Sequence, residues 1–187
     1  GLLSLFISAC AGVGGVTQPD VPAKIKSAYG NALKSMKAGN NESAIKQFKH
    51  IIKLQPKLAG PHTNLGMIYL KTNSLEQAQR SLEKAVELNP ASTIAFNYLG
   101  IVYRSQGRFD DAEKAYLKAL AINSQYDYAH LNLGILYDLF KSDAQKAVVH
   151  YQQYLELTDQ PDKMVEKWIV DLQRRNTAKH QTKEVRG

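Results

Sequence analysis

The chain has 187 residues, 44% of them apolar, and a single cysteine. This length fits one domain or one short repeat array, and the apolar fraction is too high for a disordered protein. One cysteine excludes an internal disulfide, which leaves a reducing compartment or an exported protein that uses none. No stretch approaches the ~20 apolar residues that span a bilayer. The net charge of +7 is unevenly placed: +7 in residues 22–58, +1 in 59–126, −4 in 127–173 and +4 in the tail from Arg174, with −1 from Asp20. A basic end attracts anionic lipid or acidic partners; the alternative is a solvated Lys-rich helix face.

In chain order, GLLSLFISAC opens with an apolar run, Leu2 to Ala9, that ends at Cys10. The run has the length and composition of the later part of a signal peptide. Residues 11–22, rich in Gly and Pro and without a helical stripe, read as a tether. Ile7-Ser8-Ala9-Cys10 resembles the bacterial lipobox: an aliphatic residue and two small ones before a cysteine that becomes lipidated. The resemblance implies that 1–9 is a signal peptide shortened at its front, where Met and basic residues are missing. It implies that Cys10 carries lipid, leaving no free thiol in the mature chain. With Ala11 in place of Asp after the cysteine, it also implies the outer membrane, facing the periplasm, with a lipid anchor as the membrane contact. An ordinary buried cysteine on an apolar helix is the alternative.

From residue 23 to 158 the sequence repeats. HTNLGMIYL from His62, FNYLGIVYR from Phe96 and HLNLGILYD from His130 place Leu65, Leu99 and Leu133 at intervals of 34. Gly66, Gly100 and Gly134 keep the same interval, as do Tyr69, Tyr103 and Tyr137. A second phase follows each: Ala78, Leu82 and Ala85, then Ala112, Tyr116 and Ala119. Apolar residues at i, i+4 and i+7 on a charged background, as in EQAQRSLEKAVEL, predict amphipathic helices. Thr72-Asn73-Ser74 and Gln106-Gly107-Arg108 are turn signals, and Gln55-Pro56 and Asn89-Pro90 close the second helices. Gly inside a helix costs about 1 kcal/mol against Ala. Three such glycines predict a close helix–helix approach, with Ala78, Ala112 and Ala147 as the small opposing surface.

This pattern resembles the tetratricopeptide repeat (TPR), whose signature places Leu-Gly, Tyr, Ala, an aromatic and Pro at fixed offsets. The resemblance covers roughly Ile25 to Leu157 and implies an all-α, right-handed superhelical array of about four helical hairpins. Departures fall mainly toward the ends. Asn31 and Ser35 replace Leu and Tyr in copy one, Ser124 replaces Pro in copy three, and copy four has one extra residue in its turn. His62 and His130 stand where a large apolar residue is usual. Residues 159–176 read as a capping helix, with Asp162 as its cap and Met164, Val165, Trp168, Ile169 and Leu172 as one apolar face. Trp168 is expected to be its main packing residue. Residues 177–187 read as a disordered basic tail.

No catalytic pattern accompanies the repeats, and no cofactor, metal or small-molecule substrate is expected. The five histidines form no HExxH motif, AGVGGV lacks the Lys of a phosphate loop, and no aromatic-plus-basic motif points to nucleic acid. The remaining function is binding. In TPR domains certain first-helix positions face the concave groove, and the resemblance carries them onto Thr63, Asn64 and Met67. In copies three and four it carries them onto Asn97, Tyr98, Ile101, Arg104, Tyr128, Asn132, Ile135 and Asp138. The Asn side chains are expected to bond a partner's backbone, while Met, Ile and Tyr take the apolar residues of a bound peptide or helix. Packing between helices is the competing role for the same residues. The expected function is an envelope-anchored, non-enzymatic scaffold. Resemblances to three groups remain open: TonB-system accessory proteins, pilotins of type IV pilus secretins, and adaptors of peptidoglycan enzymes. A regulatory array belonging to an enzyme is the rival class.

Overall fold

The structure, a computed structural model, describes residues 21–159 and 161–184, with side-chain surroundings described as far as Thr177. The apolar run, Cys10 and most of the tether lie outside the described residues. Those described form nine helices and no strand: α1 (Ala23–Lys37), α2 (Asn41–Leu54), α3 (Ala59–Lys71), α4 (Leu75–Leu88), α5 (Thr93–Ser105), α6 (Phe109–Ile122), α7 (Asp127–Leu139), α8 (Ala144–Leu157) and α9 (Lys163–Glu184). Consecutive pairs make four hairpins that stack in order, and α9 packs on α8. The all-α hairpin array expected from the sequence is what the chain forms.

Local chemistry sets the boundaries. Pro56 and Pro90 push the preceding residues out of helical space, so Gln55 (φ −140°, ψ 75°) ends α2 and Asn89 (φ −137°, ψ 87°) ends α4. Asn123 takes the same conformation (φ −140°, ψ 100°) ahead of Ser124, so hairpin packing imposes the stop where proline is missing. The hairpin turns each pass through one left-handed residue: Gly39 (φ 78°), Asn73 (φ 57°), Gly107 (φ 75°) and Ser142 (φ 54°). Gly and Asn tolerate this conformation. Ser142 comes one residue late because copy four carries the extra residue. That insertion stacks Phe140 on Phe109, ring centroids 4.7 Å apart, and sets Lys141 between Asp110 (2.7 Å) and Glu113 of the preceding hairpin. Burial opposes ionisation of Glu113, but its bonds from Lys141 and Tyr137 outweigh it and hold the carboxyl below its ordinary range.

The repeated glycines do mark a close approach, but not to the alanines. A methyl group on Gly66 would lie 2.4 Å from the Leu82 side chain, on Gly100 2.5 Å from the Tyr116 ring, and on Gly134 2.4 Å from the Tyr151 ring. Each glycine is thus a slot for a large side chain of the second helix, and copy one uses Ala32 at this position with Phe48 buried opposite in the repeat. Ala78, Ala112 and Ala147 are fully buried, but they are not what the glycines face.

The C-terminal element differs from expectation in two respects. Asp162 Oδ1 accepts from the backbone N–H groups of Met164 and Val165, which starts α9 as predicted. The helix then runs on to Glu184, so the segment expected to be a disordered tail from 177 is helical to that residue. The apolar face is also narrower than predicted. Val165, Ile169 and Leu172 are buried, whereas Met164 points to solvent at 61% exposure. Trp168 is only half-buried, its ring 5.5 Å from that of Tyr151. Spacing explains this: positions 165, 169 and 172 follow i, i+4, i+7 onto α8, and residue 164 falls off that line.

Candidate functional site

Inner and outer faces follow from which helices touch. The first helices of successive hairpins meet each other, α3 with α5 and α5 with α7, while the second helices are held farther apart. The first helices therefore line the concave side. On α5 one helical stripe carries Ile94, Tyr98, Ile101 and Ser105, at i, i+4, i+7 and i+11; Ile94 and Ser105 are exposed, while Tyr98 and Ile101 pack partly against the core. The same register gives Gly60, Asn64, Met67 and Lys71 on α3, and Tyr128, Asn132, Ile135 and Leu139 on α7. Ile94, Tyr128 and Leu139 are exposed to 48%, 55% and 66%, large apolar side chains held open to solvent on one surface. Tyr98, Ile101, Ile135 and Met67 are half-buried between them. Tyr126 joins this cluster, its ring centroid 6.1 Å from that of Tyr128, and its hydroxyl is pushed up to about 12 by burial and by its tyrosine neighbours and Asp127. An open apolar surface of this kind on a helical scaffold marks a recognition site.

The structure sorts the expected groove residues into two sets. Met67, Tyr98, Ile101, Tyr128 and Ile135 lie on the open concave row. Asn97 and Asn132, at 3% and 8% exposure, are buried. The Asn132 amide donates to the Asn97 side-chain oxygen at 3.0 Å, and Arg104 donates to Asn132 Oδ1 at 3.4 Å. Asn64 donates to the Tyr29 hydroxyl at 2.6 Å and to the Gly60 carbonyl at 3.0 Å. The Asn64–Tyr29 and Asn132–Asn97 bonds both span 35 residues: one repeat-to-repeat staple, used twice. Thr63 bonds back to the Ala59 carbonyl at 3.3 Å. Asp138 is nearly covered and accepts from Arg175 of α9 at 3.4 Å. The polar members thus have partners within the chain; of the apolar members Tyr128 is exposed, and Met67, Tyr98, Ile101 and Ile135 keep part of their surface open.

Sequence reasoning missed Ile94, Tyr126 and Leu139. Ile94 and Leu139 were recoverable from the period, since Ile94 stands one repeat before Tyr128 and Leu139 one repeat after Ser105. Tyr126 precedes its helix and carries no periodic signal. The two histidines of the signature position also diverge. His62 is half-buried, and burial and Lys84 hold its pKa down against Glu87. His130 is buried and meets His150 of α8, their Nδ1 atoms 3.0 Å apart, while its Nε2 lies 3.1 Å from the Ser124 carbonyl. That pairing could not be read from sequence, because α7 and α8 are brought into register by the turn between them. Two imidazoles make no metal centre by themselves, and no group of three or more metal-ligating side chains occurs among the described residues. A depression of about 450 Å³ lies at the hairpin turns around Phe109 and Phe140.

Stacked helical hairpins with an open apolar inner row define a helical-repeat binding protein. Residues 63–128 match the family described as tetratricopeptide repeat. Among solved structures, the chain is similar to MamA, at 26% identity over 71% of this chain and 77% of that one, with a TM-score of 0.65. It is also similar to PilF of Pseudomonas aeruginosa, at 18% identity over 82% and 69%, with a TM-score of 0.74. A third likeness is to YrrB, described as a TPR protein with an unusual peptide-binding site, at 22% identity over 75% and 71%, with a TM-score of 0.63. No curated protein matches the chain. The family match over residues 63–128 and these likenesses support a TPR fold, a class of helical-repeat scaffold.

Proposed function

We propose that this protein is a lipid-anchored interaction scaffold on the periplasmic face of a bacterial outer membrane. Its concave surface holds a peptide or helical segment of a protein partner and so assembles an envelope complex. The observation that carries the binding reading is the inner row of exposed Ile94, Tyr128 and Leu139 with Tyr98, Ile101 and Ile135 between them. Aromatic side chains supply large contact area at low entropic cost, which suits them as binding anchors. Toward α1 the same register becomes basic, at Lys71, Lys37 and Lys26, so the favoured partner segment is apolar with acidic residues at one end. The anchor and location rest on the lipobox resemblance at Cys10. The likeness to PilF shows the fold alone, and the partner's identity decides between TonB, pilotin and peptidoglycan roles.

The test expresses the full-length protein with its leader in a Gram-negative host, crosslinks cells and identifies partners by mass spectrometry. Beside it runs a Tyr98→Ala/Tyr128→Ala variant whose folding is checked by circular dichroism. Truncating interface anchors costs about 2 kcal/mol or more each, so recovery of the partner is expected to drop at least about tenfold. A partner recovered equally with both proteins would place the binding site elsewhere. Labelling with an acyl-chain probe, lost in Cys10→Ser, reads the anchor separately.

A further inference from the structure

The first hairpin and the connection after it carry eight lysines between residues 22 and 58, seven of them in the hairpin and Lys57 beyond it, and one acid, Glu42. All eight are exposed, and none makes an ion pair among the described residues. Lys46, Lys49 and Lys53 lie at i, i+3 and i+7 on α2, opposite its buried residues Ala44, Phe48 and Ile51, and so line the outer, convex side. Lys34 stands on α1 where the inner repeats bury Ile68, Val102 and Leu136 against a preceding helix. With exposed Asn31 beside it, it makes the end face of the array basic as well.

The repeat supplies its own control. One period on from Lys49 and Lys53 stand Glu83 and Glu87, then Leu117 and Ala121, and in copy four Gln152 and Glu156. In α4 the charges are also internally matched, with Lys84 2.7 Å from Glu87 and Glu83 accepting from Tyr103. The positions of Lys49 and Lys53 are thus acidic or neutral in every other copy and basic only in the first, whereas that of Lys46 is basic in copies two and three as well, at Arg80 and Lys114. A TPR hairpin does not need lysine there.

We propose that the outer face of this hairpin, α2 together with the end face of α1, docks on an anionic membrane surface. The patch lies on the convex side, which suits a continuous charged plane. It contains lysine and no arginine between residues 22 and 58. Lysine acts as a compact point charge, whereas bidentate recognition of a single phosphate favours the arginine fork. Nucleic acid is disfavoured because single-strand binding uses open aromatic platforms, and here Tyr29 and Phe48 pack edge-to-face against each other, 5.6 Å apart. Leu54, exposed to 49% beside Lys53, offers an apolar contact at the headgroup boundary. The attraction adds up per lysine near the surface and falls off within a Debye length, so it is sensitive to salt. It does not require an acyl group at Cys10.

The test uses the full chain carrying Cys10→Ser, so that no lipid on the protein contributes, and vesicle flotation as the readout. Binding is expected to phosphatidylcholine vesicles containing phosphatidylglycerol, not to phosphatidylcholine alone, and to disappear at high salt. Lys49→Glu/Lys53→Glu installs the residues α4 carries at the same positions, so the hairpin is expected to fold, which circular dichroism and the unfolding midpoint check. That variant should bind at least about tenfold more weakly. Lys114→Glu/Lys118→Glu, the same charge change on α6, should stay within about twofold. Equal binding to both vesicle types, or binding that ignores the α2 substitutions, overturns the proposal. Binding to polyglutamate in solution without binding to anionic vesicles also overturns it, and assigns the hairpin to an acidic protein instead.

Discussion

At Gly134 the missing side chain is a packing requirement. Alanine favours a helix over glycine by about 1 kcal/mol, so an isolated helix would gain from Gly134→Ala. In the array the new methyl would stand 2.4 Å from the Tyr151 ring, and forcing such a group into a packed core costs about 1–3 kcal/mol. A clash this close, with a ring that cannot move away, lies toward the upper end of that range, so Gly134→Ala is expected to lower stability by up to about 2 kcal/mol in urea unfolding. A stabilised variant would mean that the α7–α8 approach is looser than described. His150 makes a second residue-level prediction, through pH. Burial lowers its pKa most, His130 and Lys146 lower it further, Glu113 opposes, and the result is about 4 against an ordinary 6.5. Between those values the unfolded chain binds the extra proton, so stability rises with pH across this window and is lost as pH falls through it. His150→Ala, the residue that copy three has as Ala115, should be less stable at neutral pH, since His130 loses its partner. It should also show a flatter fall in melting temperature between about pH 6.5 and about pH 4. A slope unchanged from wild type would contradict the assignment.

At the scale of elements, neighbouring hairpins are held by apolar contact plus a repeated polar staple. Asn132 bonds Asn97 in a buried site, and Asn64 bonds Tyr29 in a half-buried one. Leaving a buried acceptor unsatisfied costs about 1–3 kcal/mol. Asn132→Ala is therefore expected to destabilise by that amount, and Asn64→Ala by less, because water reaches its partner. Chemical denaturation of the two variants side by side checks the order; an Asn64 effect larger than that of Asn132 would reverse this reading. The asparagines were visible in the sequence as a pattern, but their role was not. A polar residue in a first helix bonds a ligand or a neighbouring hairpin according to how far the helix is rotated in the stack. That rotation is a tertiary quantity, and it buries Asn97 fully while leaving Tyr98, the next residue, only half-buried.

At the scale of the molecule, the two ends are finished differently. The α1 end closes with polar and basic residues at positions that inner repeats fill with Leu, Ile and Val, so that face needs no further hairpin to cover it. The α8 end is covered by α9 through Val165, Ile169 and Leu172, and Arg175 reaches back to Asp138. Between the ends, one curved stack carries two kinds of surface: an inner row that is apolar on α5 and α7 and basic toward α1, and a basic outer face on α2. The two proposed contacts, a partner segment on the inner row and an anionic surface on the first hairpin, would fall on different faces of this stack.

The period of 34 determined the helices and their pairing, because both follow from apolar spacing and turn chemistry along a single chain; the inner side was implied by the resemblance to the tetratricopeptide repeat. The lysine imbalance of the first hairpin was equally plain as composition. What only the tertiary structure decided was which residues are free. The glycines proved to be slots for Leu82, Tyr116 and Tyr151, the asparagines to be staples, and His130 to be the partner of His150. Ile94 and Leu139 emerged as exposed members of the groove. The physical reason is the same in each case: a repeat fixes where a residue stands along its helix, but its contacts depend on the rotation and separation of the neighbouring helices, which are set when the hairpins pack.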